Sequence, residues 1–235
     1  MKRAARAARA AKPAATVSAP VEDYLKAIYE LERNGAPAGT NEIALRLAIA
    51  PASVSGMVRK LARQRLLAHE RYRGVTLTET GRRVAVRTIR RHRVIEAYLT
   101  RALGFSWDRV HDEAERLEHA ASEELVDRMA AAIGEPATDP HGAPIPTRDG
   151  RIIARPVLAL SALAPRERGR VVEVGDEDAG RLRYLGEVGL TPGARVQMLE
   201  RSAVSGAVRL RIGSREHTIG TVLADTVLVE RAERA

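Results

Sequence analysis

Apolar positions recur every three to four residues between residues 21 and 134, whereas beyond residue 160 they alternate in short runs. The first period belongs to amphipathic helices and the second to half-buried strands. A helical front part followed by a small β domain is therefore predicted. Val21, Leu25, Ile28, Tyr29 and Leu31 place a helix over 21–33, ended by Asn34-Gly35 and Pro37. Thr40 is read as the cap of a short helix reaching Leu47, and Pro51 as the first turn of a third helix running to about Gln64. Two strand-like runs between Leu66 and Thr78 flank Arg73-Gly74. Thr78 is read as the cap of a long helix, Glu79 to Leu103, which Gly104 stops. A further helix is read as continuous from Asp108 to near Gly134. Pro136 to Pro156 gathers prolines and glycines and reads as a linker. Val171–Val174, Val196–Leu199, Val208–Ile212 and Thr226–Val229 alternate like the strands of a small barrel.

Two short helices, a tight turn and a hairpin make a winged helix-turn-helix, whose second helix enters a major groove of DNA. Ala52, Ser53, Ser55 and Gly56 begin the outward face of that helix, with Arg59 and Lys60 one turn later; Val54, Met57, Val58 and Leu61 would face the core. Small residues permit close approach, hydroxyls reach base edges, and Arg59 and Lys60 reach phosphates. In the hairpin, Arg71, Tyr72 and Arg73 flank Gly74 and suit backbone contacts. Charge supports this reading. The chain carries +9 overall, but residues 46–93 hold thirteen basic residues against two acids, and residues 108–139 reverse this with ten acids against three arginines. The basic block suits a polyanion and the acidic block suits cations.

The absence of cysteine from all 235 residues excludes disulfides, thiolate metal sites and cysteine nucleophiles. No apolar run reaches the roughly 18 residues of a membrane span. Residues 1–20 carry five basic residues, no acid and no apolar core. They read as a disordered basic tail rather than a secretory signal or an organellar transit peptide, and a cytoplasmic location is expected.

The acidic block contains the most specific pattern, Val110-His111-Asp112-Glu113-Ala114-Glu115-Arg116-Leu117-Glu118-His119. On a helix, His111, Glu115, Glu118 and His119 fall within roughly 100° of arc. His92 and Glu96 lie one turn apart on the preceding helix, and antiparallel packing would bring the two sets together. Asp23 lies on the opening helix. Converging carboxylates repel unless a cation sits among them, so a divalent metal is the economical explanation. Two rivals remain open: a winged-helix regulator of an organic effector, disfavoured by one Trp and one Phe, and a di-metal carboxylate enzyme. The latter needs paired Glu-x-x-His motifs that the chain lacks.

With these residues in view, the chain resembles the diphtheria toxin repressor family of iron- and manganese-dependent transcription regulators. The resemblance spans about residues 20 to 231. It rests on Glu22-Asp23-Tyr24-Leu25-Lys26-Ala27-Ile28-Tyr29-Glu30-Leu31, on Pro51 to Leu61, on Tyr72-Arg73-Gly74-Val75-Thr76-Leu77-Thr78, on Val110 to His119 and on Pro140-His141-Gly142-Ala143-Pro144-Ile145-Pro146. Leu182-Arg183-Tyr184-Leu185-Gly186-Glu187-Val188-Gly189 is similar to the SH3-like (FeoA-like) module of the longer members. The implied fold is mainly α at the N-terminus, a winged helix-turn-helix plus a helical dimerisation domain, with a small all-β SH3-like barrel at the C-terminus. The implied division is a tail over 1–20, a DNA-binding domain over 21–80, a metal-binding and dimerisation domain over 81–140, a linker over 141–159 and the barrel over 160–235.

The resemblance also implies a regulatory metal site of Asp23, Glu115, Glu118 and His119, and an ancillary site of His92, Glu96 and His111. Asp178, or its neighbour Glu177, would add a ligand from the barrel. Iron-type members have a cysteine at Glu115 and a methionine at Asp23. Two carboxylates are manganese-type, and hard oxygen ligands suit Mn²⁺, with Fe²⁺ as a second choice. Lys26 argues against the paired-metal site of the short manganese regulators, which have a Glu there. The implied protein is a homodimer that binds a palindromic operator in double-stranded DNA when metal is bound, with Leu99, Leu103, Trp107, Leu117, Leu125 and Met129 offered as dimer contacts.

Overall fold

The structure is a computed structural model that describes residues 17–70, 73–153, 155–175, 178–202 and 204–232. The chain divides into two compact units, residues 1–85 and 86–235.

In the first unit, α1 (Ala19–Leu31) is followed by a single 3-10 turn, then α2 (Thr40–Arg46) and α3 (Pro51–Arg63). The hairpin is β1 (Leu67–Glu70) with β2 (Gly74–Leu77), antiparallel, with Leu67 opposite Leu77. The first turns of α4 (Glu79–Leu103) complete the unit. Leu25, Ile28, Ile43, Val54, Leu61 and Val75 form its core, each large aliphatic contributing roughly 1.5–3 kcal/mol relative to exposure. Val54, Val58 and Leu61 point inward on α3 as the periodicity predicts, and Met57 is half-buried. Thr40 is the first helical residue rather than the cap of α2. The preceding Gly39 has the extended cap conformation, and its N–H donates to the Glu42 carboxylate at 2.7 Å. Thr78 does cap α4, its hydroxyl accepting from Gly81 N at 3.1 Å. Gly74 is needed where it stands. Its φ is +94°, and a Cβ there would lie 2.7 Å from the Ala38 carbonyl oxygen, which closes a short bridge to Val75.

The second unit joins the rest of α4 to α5 (Val110–Glu118), α6 (Glu123–Ala132) and a six-stranded antiparallel sheet. The helix expected to run unbroken from Asp108 to Gly134 is thus two helices. Ser122 accounts for the break, because its hydroxyl accepts from Leu125 N and starts α6 afresh. Arg91 seals the end of α5, donating to the Glu118 carbonyl at 2.9 Å and pairing with Glu123 at 3.0 Å. Ile95 and Leu99 of α4 pack on Val110 and Ala114 of α5, while Val94 packs on Val126 and Ala130 of α6.

The sheet contains β3 (Leu158–Ala159), β4 (Arg168–Val174), β5 (Arg195–Ser202), β6 (Ala207–Ile212), β7 (Arg215–Gly220) and β8 (Val227–Arg231), in the order β3-β8-β4-β5-β6-β7. Register shifts in β4 and β5 bend it around a core of Val171, Val196, Met198, Val208, Leu210 and Val229. Two helices that alternation did not reveal close this core: α7 (Ala179–Val188), which contributes Leu182 and Leu185, and α8 (Thr221–Asp225), which contributes Ala224.

The described residues between 133 and 157 hold no helix or strand, yet part of this stretch is packed. The Asp139 carboxylate accepts from His141 N and Ala143 N. Arg90 and Arg93 of α4 donate to the carbonyls of Pro146 and Pro144. Gly142 (φ +90°) lies so close to β4 that a Cβ would sit 1.9 Å from the Val172 carbonyl oxygen, and Val174 N donates to the His141 carbonyl at 2.9 Å. Within the second unit, this turn fixes the helices to the barrel. Among the described residues, no helix is long and apolar enough to cross a membrane.

Candidate metal centre

The facing side chains of α4 and α5 meet with numbers rising on one helix as they fall on the other: His92 reaches Glu118, and Glu96 reaches His111. The two helices therefore run antiparallel. His92 Nδ1 lies 2.7 Å from Glu118 Oε2. The tightness of that contact places the hydrogen on Nδ1, which leaves the Nε2 lone pair pointing the other way. Nε2 is 3.1 Å from Glu96 Oε1 and 3.2 Å from His111 Nδ1, and these two are 3.3 Å apart. Three lone-pair atoms thus form a triangle that one proton cannot satisfy on every side. Nitrogen and carboxylate donors at such separations suit a divalent cation of intermediate hardness. Glu115 stands at the edge, 3.8 Å from both His92 and His111, with its side chain 41% exposed. His119 ends α5, its Nε2 3.4 Å from Glu118 Oε1.

Glu96 and Glu118 are fully buried. Burial, the largest influence on Glu96, pushes its carboxyl up. When His92 takes a second proton on Nε2, its charge and the contacts of His111, His141 and His92 outweigh burial and hold the group well below the usual range; a cation in place of that proton acts in the same direction. A buried carboxylate kept ionised among imidazoles is prepared to ligate.

His141 and Asp139, which the pattern of apolar positions did not single out, stand behind Glu96; all three are buried, with candidate ligand atoms within 4.8 Å of one another. His141 Nε2 donates to the Trp107 carbonyl at 2.7 Å. A carbonyl only accepts, so Nε2 carries the hydrogen, and Nδ1 faces Glu96 Oε2 at 3.7 Å. The quoted Pro140-His141-Gly142 motif held the signal, but its sequence does not show which neighbour the ring meets. Trp107, expected as a dimer contact, also has partners within the chain. It stacks on His141 and packs against Gly186 of α7.

The second unit thus brings together His92, Glu96, His111, Glu115, Glu118 and His119. It does not bring Asp178 to them. That carboxylate caps α7, accepting from Arg181 N at 2.9 Å, and belongs to none of the ligand clusters among the described residues. Glu177 lies outside the described residues. Asp23 is on α1 in the first unit, half-buried.

On α3, Ala52, Ser53, Gly56, Arg59 and Lys60 are exposed and Ser55 is half-buried, its hydroxyl donating to the Pro51 carbonyl at 3.2 Å. Arg73 is exposed in the hairpin, 3.4 Å from Glu70. Arg71 and Tyr72 lie outside the described residues. Part of the basic block is buried instead of facing solvent: Arg90 pairs with Asp127 and Arg91 with Glu123, while the exposed Arg82 pairs with Glu32.

Three family models match the chain in succession. The N-terminal DNA binding domain of the iron dependent repressors covers residues 16–75, their metal binding and dimerisation domain 78–147, and the FeoA domain 158–231. The diphtheria toxin repressor of Corynebacterium jeikeium is 41% identical over 128 residues, 54% of this chain and 53% of that protein, so the match spans about half the length of that relative. The iron-dependent repressor IdeR of Mycobacterium leprae is 31% identical over 222 residues, 89% of this chain and 96% of that protein. A solved manganese-dependent transcriptional repressor in complex with manganese is similar at a TM-score of 0.84 and 36% identity, covering 90% of this chain and all of that one.

Proposed function

The chain belongs to the iron-dependent repressor family, and on that premise we propose that it is a homodimeric, manganese-activated repressor that binds operator DNA in the cytoplasm. The observation that carries this reading is the convergence of His92, Glu96, His111 and Glu118 at 2.7 to 3.3 Å between two antiparallel helices.

In this reading His92, Glu96 and His111 hold an ancillary cation, and Glu115, Glu118 and His119 hold the regulatory one. Asp23 completes the regulatory set on the strength of the resemblance alone. A bound divalent cation supplies the positive charge that lets these carboxylates converge without repulsion. His92 serves both sets, presenting Nε2 to one while donating from Nδ1 to a ligand of the other. Ordering either set therefore steadies the other, which is the form that coupling between sites takes.

The exposed Ala52, Ser53 and Gly56 of α3 suit close approach to a major groove, with Ser55 beside them. Arg59, Lys60 and Arg73, with Arg71 and Tyr72, suit phosphate contacts. Leu103, Phe105, Leu117 and Leu125 are 58%, 38%, 38% and 45% exposed; they form an apolar face fitted to a second copy, and a two-fold dimer implies a palindromic operator. In this reading the cluster has a sensing task, its ligands packed between α4 and α5.

The donors proposed for the regulatory site are oxygens with one imidazole, and no thiolate or thioether is among them. Mn²⁺ is therefore the proposed activator, with Fe²⁺ competent, even though Zn²⁺ binds such donors more tightly in general. Operator affinity measured across Mn²⁺, Fe²⁺ (anaerobically), Co²⁺ and Zn²⁺ at buffered free concentrations tests this. Activation by Mn²⁺ at its cellular level is expected, and the Glu115→Cys, Asp23→Met double variant should shift the response toward Fe²⁺. Activation by Zn²⁺ at its cellular level without any by Mn²⁺ would remove the manganese assignment.

A further inference from the structure

We propose that the barrel carries a second binding site for a duplex phosphate backbone, in an arginine-lined groove around β4 and β5. The groove encloses about 1180 Å³ and is lined by Arg166, Arg168, Arg170, Arg195, Arg211 and Arg231, with Glu167 and Glu230 as its only acids. Over residues 160–235, twelve arginines stand against eleven acids. The barrel is thus nearly neutral as a whole, and its positive charge is gathered in this groove.

Internal pairing absorbs only part of that charge. Arg211 is held by Glu216 at 2.7 Å and Arg231 by Glu167 at 3.6 Å. Arg166, Arg168, Arg170 and Arg195 make no ion pair among the described residues. Arg170 and Arg195 also stand directly opposite each other on β4 and β5. Like charges at facing cross-strand positions work against the sheet; Glu230 on β8, which faces Arg170 from the other side, offsets one of the two charges, and the repulsion with Arg195 remains. A polyanion in the groove turns this repulsion into attraction.

The lining narrows the occupant. The four unpaired guanidiniums are spread over the turn before β4, β4 itself and β5, which suits an extended anion more than a single phosphate. Guanidinium forks match phosphate oxygens. No aromatic lines the groove to stack unpaired bases, and its largest aliphatic residue is Val196, so it lacks the anchors an acidic peptide would need. The inference rests on the proposed function, because a chain already bound to an operator holds this groove at a high effective concentration of duplex.

The test uses the full-length, Mn²⁺-loaded protein and a duplex selected by that protein from random sequence. A second duplex is extended by about one helical turn on each side. The slope of log affinity against log salt is compared between wild type and the Arg170→Gln, Arg195→Gln double variant. The slope should fall in magnitude by about two in the variant. A fall seen only on the extended duplex assigns the groove to flanking DNA. A heavier wild-type complex in sedimentation, absent in the variant, assigns it to a second duplex. The melting temperature of the variant should stay close to that of wild type, because the substitutions remove both the Arg170–Arg195 repulsion and the facing of Arg170 by Glu230. Arg215→Gln, which removes a charge outside the groove, should leave the slope unchanged. Equal slopes and equal complex masses for wild type and double variant would overturn the proposal. So would an equal loss per charge in Arg215→Gln, or binding of polyglutamate that only the double variant loses. Wild type that binds DNA without regard to metal would instead overturn the preceding reading, and the slopes would remain measurable.

Discussion

His92 shows how much one ring can decide. Both of its nitrogens are committed, Nδ1 to Glu118 and Nε2 toward Glu96 and His111, so its tautomer is set by a carboxylate one shell away from the position it presents. His141 does comparable work from behind. Its Nε2 is fixed on the Trp107 carbonyl, and its Nδ1 stands near the far oxygen of Glu96. His141→Gln retains a side-chain N–H for the carbonyl and removes the nitrogen facing Glu96. Mn²⁺ affinity measured by calorimetry should fall roughly 10- to 100-fold, the usual effect of losing a ligand's supporting partner. The helical circular dichroism should stay unchanged. Wild-type affinity in this variant would remove His141 from any part in positioning Glu96.

At the scale of the element, the break between α5 and α6 sets the geometry of the proposed ligands. It lets His119 end one helix while Ser122 starts the next. Ser122→Ala should cost about 1 kcal/mol by urea denaturation, the usual value of a lost N-cap; a change near zero would mean that Arg91 alone holds the break. Periodicity could not reveal it, because Leu117, Ala121, Leu125 and Met129 keep a helical spacing straight through the interruption. The same limit hid α7, where Leu182 and Leu185, with Val188 at the end, are the residues that meet the core. Asp178 was legible as a carboxylate in a family motif, but its use as a helix cap depends on a backbone conformation that the motif does not spell out. By contrast, the α3 face and the pairing of His92 and Glu96 with the 111–119 segment were legible. They follow from the helical repeat alone once two helices run antiparallel. The arginines of α4 misled in part, because a charge count cannot distinguish Arg90, buried against Asp127, from Arg59 in solvent.

For the whole molecule, the proposed metal ligands of the helices should govern what α3 does on DNA. Glu118 is the proposed ligand with most at stake, being fully buried and in contact with both His92 and His119. The most direct measurement is a titration of buffered free Mn²⁺ against operator affinity for wild type and Glu118→Gln. The selected duplex would be followed by fluorescence anisotropy, with sedimentation run alongside to establish that both proteins are folded dimers. Wild type should bind the operator at least tenfold more tightly with Mn²⁺ than in chelator, a coupling of about 1.4 kcal/mol or more, and Glu118→Gln should lose that difference while remaining folded and dimeric. Equal operator affinity with and without Mn²⁺ in the wild type, or a Glu118→Gln protein whose response to Mn²⁺ matches wild type, would contradict the account.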